Sequence, residues 1–199
     1  FGQKVIFLIS SVFLMRLLDT SDYGIMGSLL IFVAFSSLLI DSGFGRALLN
    51  RKEISAVEYS TVFYFNMGIS VFLYIALFFS APLIAQLFNG PLLIPVSRVL
   101  FISLIFNGFS IFIKASYFKT QTKANTAALI LSTSIALIMA WRGYGVWALV
   151  AQNVIYAFFR SLLFWIYSTW RPRKLFSFTK LKVFFAFSNK LLASGTIGA

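Results

Sequence analysis

The sequence contains no cysteine and no histidine, and only five of its 199 residues are acidic. The chain therefore has no disulfide, no thiolate nucleophile, no imidazole base and few of the usual metal ligands. The five acids are Asp19, Asp22, Asp41, Glu53 and Glu58. A hydrolase or a metal-dependent transferase is hard to build from so few groups, so we expect no enzyme activity, no catalytic residue, no metal ion and no cofactor.

Apolar residues, by contrast, are abundant. Hydrophobic residues make up 60% of the chain and charged residues 11%, and the mean hydropathy is +0.91. Because a soluble domain carries about a quarter charged residues, this composition indicates a membrane protein whose first partner is the lipid bilayer. The net charge of +12 could suggest a nucleic-acid partner. We exclude that partner because the bases lie between apolar runs, where anionic lipid head groups explain them.

Six apolar runs are long enough to cross a bilayer, since about 20 helical residues at a rise of 1.5 Å span a hydrocarbon core of about 30 Å. In chain order they cover approximately residues 1–18, 23–41, 59–88, 92–113, 124–141 and 146–167. The sequence thus predicts an all-α, polytopic membrane protein. We expect a six-helix transmembrane lobe over 1–169, a basic linker over 170–183 and the start of a seventh helix over 184–199. Because both chain ends fall inside apolar runs, we expect a truncated first helix and one half of a larger transporter.

The distribution of bases predicts the orientation. Loops after the second, fourth and sixth runs hold eleven Lys and Arg residues, against three after the first, third and fifth. By the positive-inside rule, the basic loops and the N-terminus lie in the cytoplasm.

The fifth run has a small residue at every fourth position. The positions are Ala124, Ala128, Ser132, Ala136 and Ala140. Such a stripe allows a neighbouring transmembrane helix to approach closely, so it predicts a tightly packed helix pair.

Polar residues also recur on single helical faces, as expected if the bundle encloses a polar cavity. The fourth run carries Ser103, Asn107, Ser110 and Lys114, the sixth carries Gln152, Asn153, Tyr156 and Arg160, and the third includes Asn66. Asp41 closes the second run and is our candidate for gating or ion coupling. The alternative is that these groups only hydrogen-bond between helices, which contributes about 0.6 kcal/mol each in membrane proteins.

The predicted cavity contains more bases than acids. Arginine and lysine with asparagine and glutamine suit an anionic head group bearing sugar hydroxyls better than a cationic drug. The pattern indicates the class of substrate and not its identity.

Several motifs, in the same order, resemble the Wzx-like oligosaccharide flippases of the MOP superfamily. The matching stretches are Met15–Leu18 with Ser21–Gly24, Asp41–Leu48 with Arg51–Lys52, Thr61–Asn66, Gly143–Gln152 and Trp170–Pro172. One departure is Ser21, which stands beside Asp22 where the family usually has a proline.

This resemblance implies the N-terminal half of a protein of the bacterial inner membrane, in which two helical lobes face each other across a central cavity. Alternating access would move an undecaprenyl-pyrophosphate-linked oligosaccharide outward for polysaccharide or O-antigen export, and polysaccharide polymerase machinery would be a further partner. The resemblance also implies a cavity position for Arg16, which matches a cavity arginine of the related lipid II flippases. In this sequence Arg16 is displaced from the face that carries Lys4 and Ser11.

Three alternatives remain open at this stage. A MATE-type cation or drug antiporter would need acids in the cavity, and only Asp41 qualifies. A membrane-embedded glycan polymerase or ligase would need a large outer loop with clustered catalytic residues, and the loops on that side are short. A structural membrane subunit would not need the polar faces.

Overall fold

The computed structural model describes residues 2–41, 55–111, 118–168, 171–172 and 175–178. Their helices are α1 (Gly2–Leu17), α2 (Thr20–Asp41), α3 (Ala56–Leu87), α4 (Leu93–Leu100), α5 (Ile102–Ile111), α6 (Phe118–Trp141) and α7 (Val146–Tyr167). By length and apolar composition, α2, α3, α6 and α7 are each able to cross a membrane. The predicted class, an all-α polytopic membrane protein, is therefore confirmed.

Several helix boundaries differ from those that hydropathy predicts. Helix α2 begins at Thr20, and α6 begins at Phe118, ahead of its apolar run. Polar side chains weaken the hydropathy signal there without preventing helix formation. The fourth run is divided at Phe101, whose carbonyl accepts the Leu104 N–H at 3.0 Å in a tighter i to i+3 bond.

Helix α7 makes the most extensive contacts with other helices. It packs against α2, α4, α5 and α6, while α1 packs against α6. The short connections between α1 and α2, α3 and α4, and α6 and α7 lie at one end of the bundle, which we call the turn end. The opposite end, where α1 and α3 begin and α7 ends, is the loop end. Most of the buried apolar core lies towards the turn end and includes Leu29, Leu100 and Leu149.

The stripe of small residues on α6 is buried along its whole length. Ala124, Ala128, Ser132 and Ala136 are each 0% exposed, and Ala140 is 3% exposed. Helix α7 is the neighbour with which α6 makes its most extensive contact. The tightly packed helix pair predicted from this stripe is therefore present.

Asp22 joins two connections at the turn end. Its Oδ1 accepts the backbone N–H of Val146 at 2.9 Å, and its Oδ2 accepts the N–H of Asp19 at 3.3 Å. Gly145, just before α7, has φ of 53°, and a Cβ placed there would lie 3.2 Å from Asp22 Oδ1. A single carboxylate therefore satisfies N–H groups near the starts of both α2 and α7, where negative charge is also favourable.

Replacing Asp22 with Ala is expected to lower the stability of the protein by about 1–3 kcal/mol, because a charged acceptor is lost and two N–H groups lose their partner. Asp22→Asn keeps one acceptor oxygen, so the stability of this variant should lie between that of Asp22→Ala and that of wild type. The measurement is the thermal unfolding midpoint of the purified protein in detergent. Ser21→Ala, a change at the exposed neighbouring residue, is the control. Equal midpoints for Asp22→Ala and Ser21→Ala would contradict this role for Asp22.

An aromatic cluster joins three helices at the loop end. Phe63 of α3 lies 5.9 Å from Phe109 of α5 and 6.4 Å from Trp165 of α7, between ring centroids. The chain after α7 returns to this cluster. Arg171 lies over the Trp165 ring at 4.9 Å, and the N–H of Ser177 donates to Thr61 Oγ1 of α3 at 3.1 Å. The segment after α7 is thus attached to both α7 and α3.

Candidate functional site

A cavity of about 790 Å³ lies between α1, α6 and α7. It is lined by Gln3, Leu8, Ser11, Met15, Leu129, Ser132, Gln152, Asn153 and Tyr156. Gln3 and Met15 are twelve residues apart on α1, so the lining extends over about 18 Å of helix. The cavity therefore runs along much of the bundle from the loop end towards the turn end.

Hydrogen bonds near the loop end position α1 against α6. The Gln3 Nε2 donates to the carbonyl of Thr122 at 3.1 Å and to Thr126 Oγ1 at 2.9 Å. At the turn end, the hydrogen bond from the Val146 N–H to Asp22 connects the start of α2 to the start of α7. The helices that line the cavity are thus held at both of its ends.

Helices α6 and α7 contribute most of the polar groups that line the cavity. Gln152 Nε2 donates to Thr133 Oγ1 of α6 at 3.4 Å, across the helix pair. Asn153 Nδ2 donates to the carbonyl of Leu149, one turn earlier in α7, at 3.0 Å. Both residues were predicted to face a cavity, and the structure places both in the lining together with Tyr156.

Arg160 lies one turn further along α7, towards the loop end. Its guanidinium carbon is 5.7 Å from the centre of the Tyr156 ring, and its Nη2 donates to Asn107 Oδ1 of α5 at 3.2 Å. Arg160 and Asn107 are both half-buried. Two predicted site residues from different helices are therefore in direct contact, next to a residue that lines the cavity.

Asn66 lies inside the α3–α5 interface and does not line this cavity. It is 0% exposed, and neither its side-chain oxygen nor its nitrogen has a hydrogen-bond partner among the described residues. Ser70 donates to the Asn66 carbonyl at 2.8 Å. A Cβ on Gly108 of α5 would overlap Ser70 and come within 3.4 Å of the Asn66 carbonyl. The backbones of α3 and α5 therefore approach closely here, right beside Asn107.

The structure does not bring the other predicted site residues together. Arg16 is exposed and is not among the lining residues, although its neighbour Met15 is. Lys114 lies outside the described residues, as does the side chain of Asp41. Their predicted roles stay predictions. None of the described lining residues is charged, and Arg160 lies beside the cavity through its contact with Tyr156.

Gln3 is the polar lining residue that the sequence analysis did not identify. It lies eight positions before Ser11, which places the two side chains within about 80° of each other around a helix. The helical periodicity that identified Ser11 could therefore have identified Gln3 as well. Met15 and Leu129 carry no such signal because they are apolar residues in apolar helices.

The helices and the cavity define a multi-pass membrane protein with an open, uncharged cavity between three of its helices. The family described as "Polysaccharide biosynthesis protein" matches residues 13–199. The chain belongs to this family. Within the described residues, no group of three His, Cys, Asp or Glu side chains could hold a metal ion.

Three curated proteins show similarity to the chain. It is 29% identical over 98 residues to the lipopolysaccharide biosynthesis protein WzxC of Escherichia coli, covering 49% of this chain and 20% of the relative. It is 26% identical over 167 residues to the teichuronic acid biosynthesis protein TuaB of Bacillus subtilis, covering 80% and 35%. It is 25% identical over 186 residues to the succinoglycan biosynthesis transport protein ExoT of Rhizobium meliloti, covering 91% and 38%.

The chain thus spans well under half the length of each of these relatives. No solved structure gives a significant match to it.

Proposed function

We propose that this chain forms the N-terminal lobe of a flippase that moves an undecaprenyl-pyrophosphate-linked oligosaccharide across the bacterial inner membrane by alternating access. The observation that carries the proposal is the α1–α6–α7 cavity, whose uncharged lining includes amide and hydroxyl side chains, together with the Arg160–Asn107 pair beside it. Amide and hydroxyl groups suit sugars, and an arginine suits a phosphate. The relatives support this substrate class, since their names refer to the biosynthesis or transport of polysaccharides.

In this proposal the Arg160 guanidinium binds the pyrophosphate, because its planar fork of donors matches phosphate oxygens. Asn107 orients the guanidinium through the 3.2 Å hydrogen bond. Gln152 and Asn153 contact the sugars. Arg16 and Lys114 add positive charge along the path of the pyrophosphate, while Asn66 supports the α3–α5 contact.

The other parts of the mechanism come from the charge pattern and the resemblance. The basic loops lie in the cytoplasm, and a second lobe forms the opposite wall of the central cavity. Asp41 pairs with a neighbouring base or gates the cytoplasmic end. The lipid tail remains in the bilayer between the lobes, and polysaccharide polymerase machinery receives the exported unit.

A MATE-type antiporter fits the structure less well. Cation binding within a membrane usually relies on carboxylates. No carboxylate is present among the residues that line the described cavity.

The test is complementation. The full-length protein is expressed in a strain that lacks its own Wzx-like flippase, and surface polysaccharide is measured together with the lipid-linked oligosaccharide that accumulates inside. We expect export to be restored and the intracellular intermediate to fall. A correctly inserted protein that leaves the intermediate accumulated, in strains making several different glycans, would contradict the proposal. Drug-efflux assays on the same cells would test the antiporter alternative.

A further inference from the structure

The polar side chains of the cavity have already used many of their hydrogen-bond donors within the protein. Gln3 uses both N–H groups of its amide on Thr122 and Thr126 of α6. Ser132 donates its hydroxyl to the carbonyl of Leu129 at 3.1 Å. Asn153 donates one N–H to the Leu149 carbonyl at 3.0 Å.

These bonds also fix which atom of each amide is the donor. A backbone carbonyl can only accept a hydrogen bond, so the amide nitrogen of Gln3 must face Thr122 and that of Asn153 must face Leu149. The side-chain oxygens of both residues are left as acceptors. Each amide oxygen has two lone pairs, as does each hydroxyl oxygen.

Acceptors therefore outnumber donors in the cavity. Ser11 also makes a contact of its own within the protein. The remaining donors are one N–H each on Asn153 and Gln152 and the hydroxyl of Tyr156, and no basic side chain is among the described residues that line the cavity. A ligand rich in hydroxyl or amide N–H groups would find partners there. A carboxylate or phosphate would face several carbonyl oxygens without a base to balance its charge, which is unfavourable.

We propose that the cavity is a subsite for an uncharged sugar unit, which donates hydroxyl hydrogens to the side-chain oxygens of Asn153 and Gln152 and places its apolar face against Tyr156 and Leu129. This inference rests on the proposed function and refines it, because it separates the two parts of the substrate. The sugar occupies the neutral cavity, and the pyrophosphate lies one turn of α7 away, at Arg160. The 5.7 Å between the Arg160 guanidinium and the Tyr156 ring allows adjacent groups of one ligand to contact both residues.

The experiment measures dissociation constants of the full-length protein in detergent. The probes are a polyprenyl diphosphate alone, the same lipid carrying one N-acetylhexosamine, and the same lipid carrying one hexuronic acid. For wild type, the neutral sugar should tighten binding roughly two- to tenfold over the bare lipid, the range expected for one net neutral hydrogen bond. The hexuronic acid should bring no such gain.

Two variants separate the sugar subsite from the phosphate site. Asn153→Leu removes the acceptor, so this variant should bind the neutral-sugar lipid no more tightly than the bare lipid. Its dissociation constant for the bare lipid should equal that of wild type. Among the described residues, the one hydrogen bond of the Asn153 side chain lies within its own helix, so this variant breaks no described hydrogen bond between helices. Arg160→Gln should weaken the binding of all three lipids by a similar factor. Ser134→Ala, at an exposed position of α6 outside the lining, should leave all three constants unchanged.

The outcomes distinguish this inference from the function on which it rests. Equal or tighter binding of the hexuronic acid lipid would overturn the neutral subsite, and so would an undiminished gain in Asn153→Leu. Both results would leave the flippase proposal standing. If the wild-type protein bound none of the three lipids, the proposed function would fail, and the subsite with it.

Discussion

Replacing Arg160 with Gln is expected to reduce polysaccharide export by at least about tenfold in the complementation strain. The guanidinium lies 5.7 Å from the ring centre of Tyr156, a residue that lines the cavity. Charged hydrogen bonds of the kind it would make to phosphate contribute roughly 1.5–3 kcal/mol. A loss of that size corresponds to a factor of about 10 to 150 in binding. Arg160→Lys should retain part of the activity, because the charge remains while the two-pronged geometry is lost.

Arg142→Gln is the matched control, because Arg142 is exposed in the short connection before α7 and lies away from the cavity. Export is measured with protein level and membrane insertion, so that a folding defect is not mistaken for lost transport. Wild-type export by a well-inserted Arg160→Gln protein would remove Arg160 from the substrate site. The Asn107 contact would then be structural.

Gly108→Leu should be the most damaging substitution for the fold. A side chain at this position of α5 would meet Ser70 of α3, whose Cβ lies 2.8 Å from the position of a Cβ on Gly108. The two helices would have to separate, and overpacking of this kind typically costs about 1–3 kcal/mol, and more where backbone must move. Because Asn107 is the preceding residue, we also expect the Arg160–Asn107 contact to be disturbed.

The effect is measured as a lower thermal unfolding midpoint and a lower yield of monodisperse protein in detergent. Gly68→Leu is the control on α3: Gly68 is exposed, and a Cβ there meets nothing within 4 Å. Leucine favours a helix over glycine, so Gly68→Leu should be neutral or slightly stabilising. If both variants had the same midpoint, the close approach of α3 and α5 at Gly108 would be contradicted.

The sequence alone was sufficient to predict the helices, because long apolar runs carry a strong signal. The prediction of helix boundaries was least accurate where a helix extends beyond its apolar residues. Helix α6 begins with a polar turn that includes Lys119 and Thr120. Because this turn is not apolar, hydropathy does not indicate that it is helical. The predicted boundaries therefore followed the apolar composition, whereas the observed helix boundaries are set by backbone hydrogen bonding.

Part of the candidate site could also be predicted, since Gln152, Asn153 and Tyr156 share one face of α7. Helical periodicity relates residues that are near in sequence. It could not reveal the contact between Asp22 and Val146, which are 124 positions apart, or that between Arg160 and Asn107, which are 53 apart. Such contacts depend on which helices become neighbours, and only the packed bundle determines that.

The return of the chain to α3 after α7 has a mechanical consequence. Arg171 is attached to Trp165 of α7, and Ser177 is attached to Thr61 of α3. Any pull from the residues that follow is therefore shared between two helices that the Phe63, Phe109 and Trp165 rings already join. A force divided in this way acts on α3 and α7 together and does not pull α7 alone. The attachment would therefore keep the two helices side by side when the segment that follows them moves.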